Sequence, residues 1–253
     1  MYPKKISRNL YLQFILACLT LITSLNTLAA PDPQALIQQA DRARGGGLPG
    51  IVWNIRLTSH EGEKIAEEQL LQVRAVDDAS VAEVLEPLRS KGTKLLQVEH
   101  NMWLTRPGLS KPIPISPRQR MSGQASNGDI AATNYASDYA AKFLLQEKVD
   151  DEVCYVLALS ARHKRTTYDR VHYWVSVERG VGVKAEFYSV SGKLLKTARF
   201  RYDNVIQYKD ENIPFVSKMV ISDALIDAET TMQFSNARVK KISAAEFDLG
   251  QIQ

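Results

Sequence analysis

The chain has 253 residues, with 32 Lys and Arg against 28 Asp and Glu, two cysteines and four histidines. Setting aside the three basic residues of the first 30 (Lys4, Lys5, Arg8) lowers the net charge from +4 to +1, too little for a nucleic-acid footprint. Cys18 belongs to the same opening segment, so Cys154 stands alone; an internal disulfide is excluded and core burial must supply the stability.

In Met1 to Ala30 a basic start precedes an apolar run from Leu10 to Leu25, and the small residues Ala29 and Ala30 follow. This is the layout of a secretory leader, with cleavage after Ala29 or Ala30. Gln13, Thr20, Thr23 and Ser24 interrupt the run and make it a poor membrane span, which needs about 20 apolar residues. Ile15-Leu16-Ala17-Cys18 has the outline of a lipoprotein box, but too little apolar sequence precedes it and the run continues beyond. The expectation is a leader over residues 1–29 and a single exported domain over 30–253.

Asp32 to Arg44 places Leu36, Ile37 and Ala40 at helical spacing, and Gly45-Gly-Gly ends the helix. Ile51, Trp53, Ile55 and Leu57 then alternate with Val52, Asn54, Arg56 and Thr58, the period of a strand with one apolar face. Strand-length segments follow at Gln69 to Val76, Val81 to Leu85, Lys94 to Glu99 and Met102 to Thr105. The proline-stiffened crossing Lys111-Pro-Ile-Pro-Ile-Ser-Pro comes next. Ala125 to Ala141, rich in small residues, is expected to form a loop and one or two helical turns lying over the sheet. Further strands are predicted at Cys154 to Ser160, Arg170 to Glu178, Val183 to Val190, Lys193 to Tyr202, Phe215 to Ile221 and Thr230 to Val239. Ten or eleven such strands joined by tight turns predict a mainly β, α+β protein built on one curved antiparallel sheet.

The residues offer little chemistry. His60, His100, His163 and His172 lack partners at ligand spacing apart from Glu99 beside His100, so neither a metal nor another cofactor is expected. Asp150-Asp151-Glu152 reads as a hairpin turn, and Cys154 as a small buried hydrophobe. No nucleophile elbow, phosphate loop or dinucleotide fingerprint occurs, and an enzyme is not expected. What remains is an apolar set spread over separate strands: Trp53, Ile55, Leu57, Trp103, Tyr155, Leu157, Trp174, Phe187, Met219, Met232 and Phe234. One curved sheet covered only by small helices would leave such a set facing a concavity suited to acyl chains.

Several stretches carry a family resemblance: Asn101-Met-Trp-Leu-Thr-Arg-Pro, Pro117-Arg-Gln-Arg-Met-Ser-Gly-Gln-Ala-Ser-Asn-Gly-Asp-Ile-Ala, Cys154-Tyr-Val-Leu, Val183-Lys-Ala-Glu-Phe-Tyr and Gly192-Lys-Leu-Leu-Lys-Thr-Ala. In order and spacing, from about Asp32 to Phe247, they resemble the outer membrane lipoprotein-sorting protein family, relatives of the periplasmic carrier LolA. The resemblance implies an incomplete β-barrel closed by short helices, with Asp32 to Arg44 and Asn127 to Ala141 as lid elements. It also implies a periplasmic location. The function implied is carriage of lipoprotein or lipid acyl chains, exchanged with a membrane transporter or outer-membrane receptor; the alternative is a lipid sensor that signals through a protein partner. A monomer is expected. Two departures stand out: no glycine occupies the turn near Asp151, and Gly182 stands where relatives often carry proline.

Overall fold

Helix α1, Pro33–Arg42, opens the computed structural model, which describes residues 31–131 and 134–252, with the backbone alone at 64–67. Asp32 caps it by accepting the Gln34 amide at 3.0 Å, and Pro33 sits in the first turn, where a missing amide hydrogen costs nothing. Gly45, at φ 100°, carries the chain out of the helix in a conformation that L side chains avoid. The segment expected to be a leader, with Cys18, lies outside the described residues.

Strands β1 (Ile51–Glu61), β2 (Lys64–Val76), β3 (Ala79–Glu86), β4 (Lys94–Val98), β5 (Asn101–Thr105) and β6 (Ile113–Ile115) form a meander. A crossing follows, with the small hairpin β7 (Arg120–Ser122) and β8 (Ala125–Ser126) and the single-turn helices α2 (Asn127–Ile130) and α3 (Tyr135–Asp138). The second meander comprises β9 (Tyr139–Val149), β10 (Glu152–Ala161), β11 (Arg170–Ser176), β12 (Gly182–Tyr188) and β13 (Leu194–Arg201). A side hairpin of β14 (Asn204–Tyr208) and β15 (Glu211–Phe215) precedes β16 (Lys218–Asp223), β17 (Ala228–Val239) and a 3-10 turn at Ala244–Phe247.

Thirteen strands join one sheet in the order β6-β5-β4-β3-β2-β1-β17-β16-β13-β12-β11-β10-β9, each neighbouring pair antiparallel. The terminal strands β6 and β9 do not pair, so this curved sheet is not closed into a barrel. That is the mainly β, incomplete-barrel architecture the sequence predicts. The last strand closes against the first, with Ile55 opposite Phe234 and Leu57 opposite Met232, so the two halves of the chain meet in mid-sheet.

Strand alternation builds the inner face. Trp53, Ile55 and Leu57 lie across from Val73, Leu71 and Gln69 on one side, and Met219 opposes both Met232 and Phe200 on the other. These apolar residues join one main core together with Ile37 and Ala40 of α1, Ile130, and Ile206, Ile213 and Phe215 of the side hairpin. Two smaller clusters lie apart from it, one around Cys154 and Trp174, the other where Phe247 and Ile252 cover Val81 and Leu96.

Several boundaries differ from expectation, among them β2, which begins at Lys64 and not Gln69. Phe215 to Ile221 is two strands, because Val216 and Ser217 break pairing and β15 turns back on β14 instead of joining the large sheet. β9 begins at Tyr139, inside the stretch expected to be helical; as an edge strand it is half bare, with Leu144 and Leu145 exposed, so it lacks an apolar alternation to read. The turn near Asp151 needs no glycine, because Asp150 itself takes the left-handed conformation at φ 54°. At Gly182, a Cβ would stand 1.8 Å from the Tyr173 hydroxyl, so the missing proline is answered by a packing demand.

Candidate functional site

The inner face collects most of the apolar set. Trp53, Ile55, Leu57, Leu157, Phe187, Met219, Met232 and Phe234 are buried in the main core, and Tyr155 packs half-buried at its margin against Phe143. Trp103 and Trp174 are not with them. On β5 the alternation turns Met102 inward and Trp103 to the opposite face, onto the small cluster with Phe247. On β11 it turns Tyr173 and Val175 inward, and Trp174 packs outside with Cys154 and Val183, its ring under the Lys184 ammonium at 4.0 Å. Counting aromatics by strand finds these residues; assigning them to one face requires the register, and the register separates them.

Three pieces cover the inner face. The first is α1, which lays Leu36, Ile37 and Ala40 on the core. Gln34 fastens its start, donating to the carbonyls of Ala136 at 2.6 Å and Tyr139 at 3.2 Å and accepting the Ala141 amide at 3.3 Å. Asp41 fastens its end by accepting the Ala136 amide at 2.7 Å. Burial pushes the Asp41 carboxyl up to about 7, against the opposing pull of that amide and of Arg44. The Arg44 guanidinium lies over the rings of Tyr135 and Phe200, at 5.2 and 5.4 Å, so a charged group is carried into the core on aromatic faces. A cleft of about 800 Å³ runs along the seam between α1 and α3, lined by Gln34, Gln38, Asp41, Asn134 and Ser137.

The second cover is the crossing through β7, β8 and α2. Gly123, at φ 52°, lies so close to β1 and β17 that a Cβ would meet Ser59 Oγ at 2.1 Å and Thr230 Oγ1 at 2.4 Å. Thr230 Oγ1 accepts the Gln124 amide at 2.7 Å. From β13, Lys196 points inward and donates to Gln124 O at 2.5 Å and Ser126 Oγ at 2.8 Å. Burial pulls its pKa down, with Asp129 partly offsetting. Asp129 in turn accepts from the Tyr168 hydroxyl at 2.7 Å and the Ser126 amide at 2.9 Å. Lys196, inward in alternation with Ala198 and Phe200, is a buried cation that a strict period-two reading of β13 would have flagged.

The third cover is the β14–β15 hairpin, whose Phe215 meets Trp53 edge-on at 6.0 Å and Phe234 at 6.4 Å. It is tied to α1 by the Arg42–Glu211 ion pair and by the Val216 amide donating to Ala43 O at 3.0 Å. Beneath it the Trp53 indole N–H is buried with no hydrogen-bond partner among the described residues.

One polar cluster was not foreseen. His100, on the β4–β5 turn, and His163, on the β10–β11 loop, lie ring against ring, tilted by 35° with centroids 3.6 Å apart, and both face Asp138 Oδ1 at the end of α3. The three are far apart in sequence and come together only because the two open ends of the sheet approach each other here. No residue spacing announces that.

A family model whose description reads only "uncharacterized protein" matches residues 76–253. No curated protein is similar enough to match. Among solved structures, a LolA superfamily protein from Nitrosomonas europaea is 31% identical, covers 87% of this chain and 98% of its own, and superposes with a TM-score of 0.77. The chain belongs to the LolA superfamily. A putative outer membrane lipoprotein-sorting protein domain from Vibrio parahaemolyticus (21% identity, 85% of this chain and 96% of that one, TM-score 0.73) shares the fold. So does a DUF1329 family protein from Desulfovibrio piger (22% identity, 88% and 100%, TM-score 0.73). In this LolA superfamily member the inner face is covered by a helix, a crossing and a two-stranded hairpin whose apolar side chains join the same core. No helix among the described residues is long and apolar enough to cross a membrane.

Proposed function

We propose that this protein is a periplasmic carrier that buries acyl chains of lipoproteins or lipids against the inner face of its sheet and passes them towards the outer membrane. It acts as a monomer, a single domain over residues 30–253 left by cleavage of a leader at 1–29, and performs no covalent chemistry. Its partners are a membrane transporter or an outer-membrane receptor. The observation that carries the reading is an apolar inner face spanning many strands whose covers are a helix, a crossing and a hairpin, each attached by a few polar bonds. Membership of the LolA superfamily supports it.

The acyl-facing set is Trp53, Ile55, Leu57, Tyr155, Leu157, Phe187, Met219, Met232 and Phe234; Trp103 and Trp174, on the opposite face, are no longer part of it. Cargo enters by lifting α1 and the β14–β15 hairpin. Each buried methylene contributes about 0.8 kcal/mol, so a chain of about sixteen supplies on the order of 10 kcal/mol against the cost of displacing those covers. The partnerless indole N–H of Trp53 gives an ester carbonyl of the cargo a donor to meet. Because so apolar a ligand leaves water slowly, release requires a partner that binds the cargo or the open state better.

Acyl chains brominated near the terminal methyl test the reading by contact quenching of tryptophan. In the double variant Trp103→Phe, Trp174→Phe the remaining Trp53 is expected to show saturable quenching. In Trp53→Phe, the two outer tryptophans are expected to show none. Equal quenching of both variants, or of neither, would contradict the assignment of the inner face.

A further inference from the structure

We infer that His100, Asp138 and His163 form a binding site for a divalent transition-metal ion of the zinc or copper class, placed across the gap between the two ends of the sheet. Asp138 Oδ1 lies 3.5 Å from His100 Nδ1 and 3.3 Å from His163 Nε2, and one donor atom from each of the three residues falls within 4.8 Å of the others. As hydrogen bonds these distances are long, since N–H···O bonds cluster near about 2.9–3.0 Å, and a single oxygen would have to serve both rings. As ligand edges they fit: four donors at about 2.0–2.1 Å from a tetrahedral zinc stand about 3.3–3.4 Å from one another. Two of the three edges are therefore already at ligand length, and the third pair of donor atoms lies within 4.8 Å.

The surroundings suit a cation. A void of about 20 Å³ touches His100 and Asp138, room for one water as fourth ligand. An adjoining hollow of about 50 Å³ is lined by Asp77, Asp78 and Glu99 as well as His100 and Asp138. The one cationic side chain lining the first void, Arg165, donates to Asn101 Oδ1. Two neutral imidazoles and a carboxylate are a familiar donor set for zinc and copper. His163 Nε2 bonds Asp138 Oδ1 at 3.3 Å, and a metal on Nε2 would replace that bond; Nδ1 is buried without a hydrogen-bond partner among the described residues.

Position gives the site its consequence. His100 belongs to the β4–β5 end of the sheet, His163 to the β10–β11 end, and Asp138 joins α3 to β9. A bound ion would staple these together beside the α3 residues that hold the lid helix. This role does not depend on which cargo the inner face takes.

The test uses tag-free, metal-stripped mature protein titrated with cobalt(II), read by its visible ligand-field absorption, and with zinc chloride, read by calorimetry. The expected result is one equivalent bound with a four-coordinate cobalt spectrum. Affinity should drop at least tenfold in His163→Gln and in His100→Gln and stay unchanged in His60→Gln and His172→Gln, which alter the chain's other two histidines. His100 is 40% exposed, so its variant keeps the test valid should the other fold poorly. Failure to bind either metal overturns the inference, as does binding that survives both cluster variants or is lost with His60 or His172.

Discussion

Replacing Asp41 with Asn should change how this protein's stability depends on pH. The carboxyl is 3% exposed, with Oδ2 held by the Ala136 amide and Oδ1 lacking a hydrogen-bond partner. Burial lifts its pKa from 3.8 to about 7. A carboxyl whose folded pKa lies above its unfolded value binds a proton more tightly in the folded state. Its contribution is therefore fully present below about pH 4 and is lost as pH rises through about 7. Each pH unit in that window is worth about 1.4 kcal/mol, so the full loss is on the order of 4 kcal/mol. Asn keeps the acceptor for the Ala136 amide and cannot titrate. Urea unfolding of both proteins across about pH 4 to 8 separates this carboxyl from every other, because all the rest are common to both. The stability of Asp41→Asn minus that of the wild type should rise steadily with pH and level off above about 7. A flat difference would refute the argument, whatever the offset caused by altering the partner of Arg44. Since Asp41 joins α1 to α3, amide exchange in α1 of the wild type should quicken over the same range.

Three more outcomes follow from particular contacts. Gln34→Ala removes the bonds to Ala136, Tyr139 and Ala141, each worth about 1 kcal/mol at most, and should speed hydrogen exchange of α1 about tenfold with little effect on the strands. Gly123→Ala puts a Cβ against Ser59 and Thr230 at a positive φ, and chemical denaturation should show a loss of more than about 2 kcal/mol. Cys154 is buried and its thiol is pushed up to about 11, chiefly by burial, so in a Cys18→Ser background a disulfide reagent should label the native protein only at the rate of its opening, and promptly in denaturant.

The sheet was legible because β1, β12, β13 and β17 each alternate apolar and polar residues over five or more positions, β10 is a strand-length apolar run, and turn residues such as Ser191-Gly192 punctuate them. The helix at Pro33 was legible from its Asp-Pro start and triple-glycine stop. What escaped depends on long-range closure. β9 pairs on one side only and needs no apolar pattern, and the β14–β15 hairpin was hidden because Phe215 and Met219 belong to different strands. Trp103 and Trp174 illustrate a sharper limit. Their strands were foreseen, but which face a residue takes follows from parity relative to neighbours such as Met102 and Tyr173, and composition carries no parity. The His100–Asp138–His163 cluster needed still more, namely the approach of the β4–β5 and β10–β11 ends of the sheet, with seven strands between them.

The most direct measurement of the central claim is native mass spectrometry, with lipid extraction, of mature protein isolated from periplasm without detergent. The carrier account expects a stoichiometric acylated species, displaced when α1 is loosened by Gln34→Ala. A clean mass of the protein alone, unchanged after incubation with lipids and lipoproteins, would mean that Trp53, Met219, Met232 and their neighbours are ordinary core, and would contradict the account.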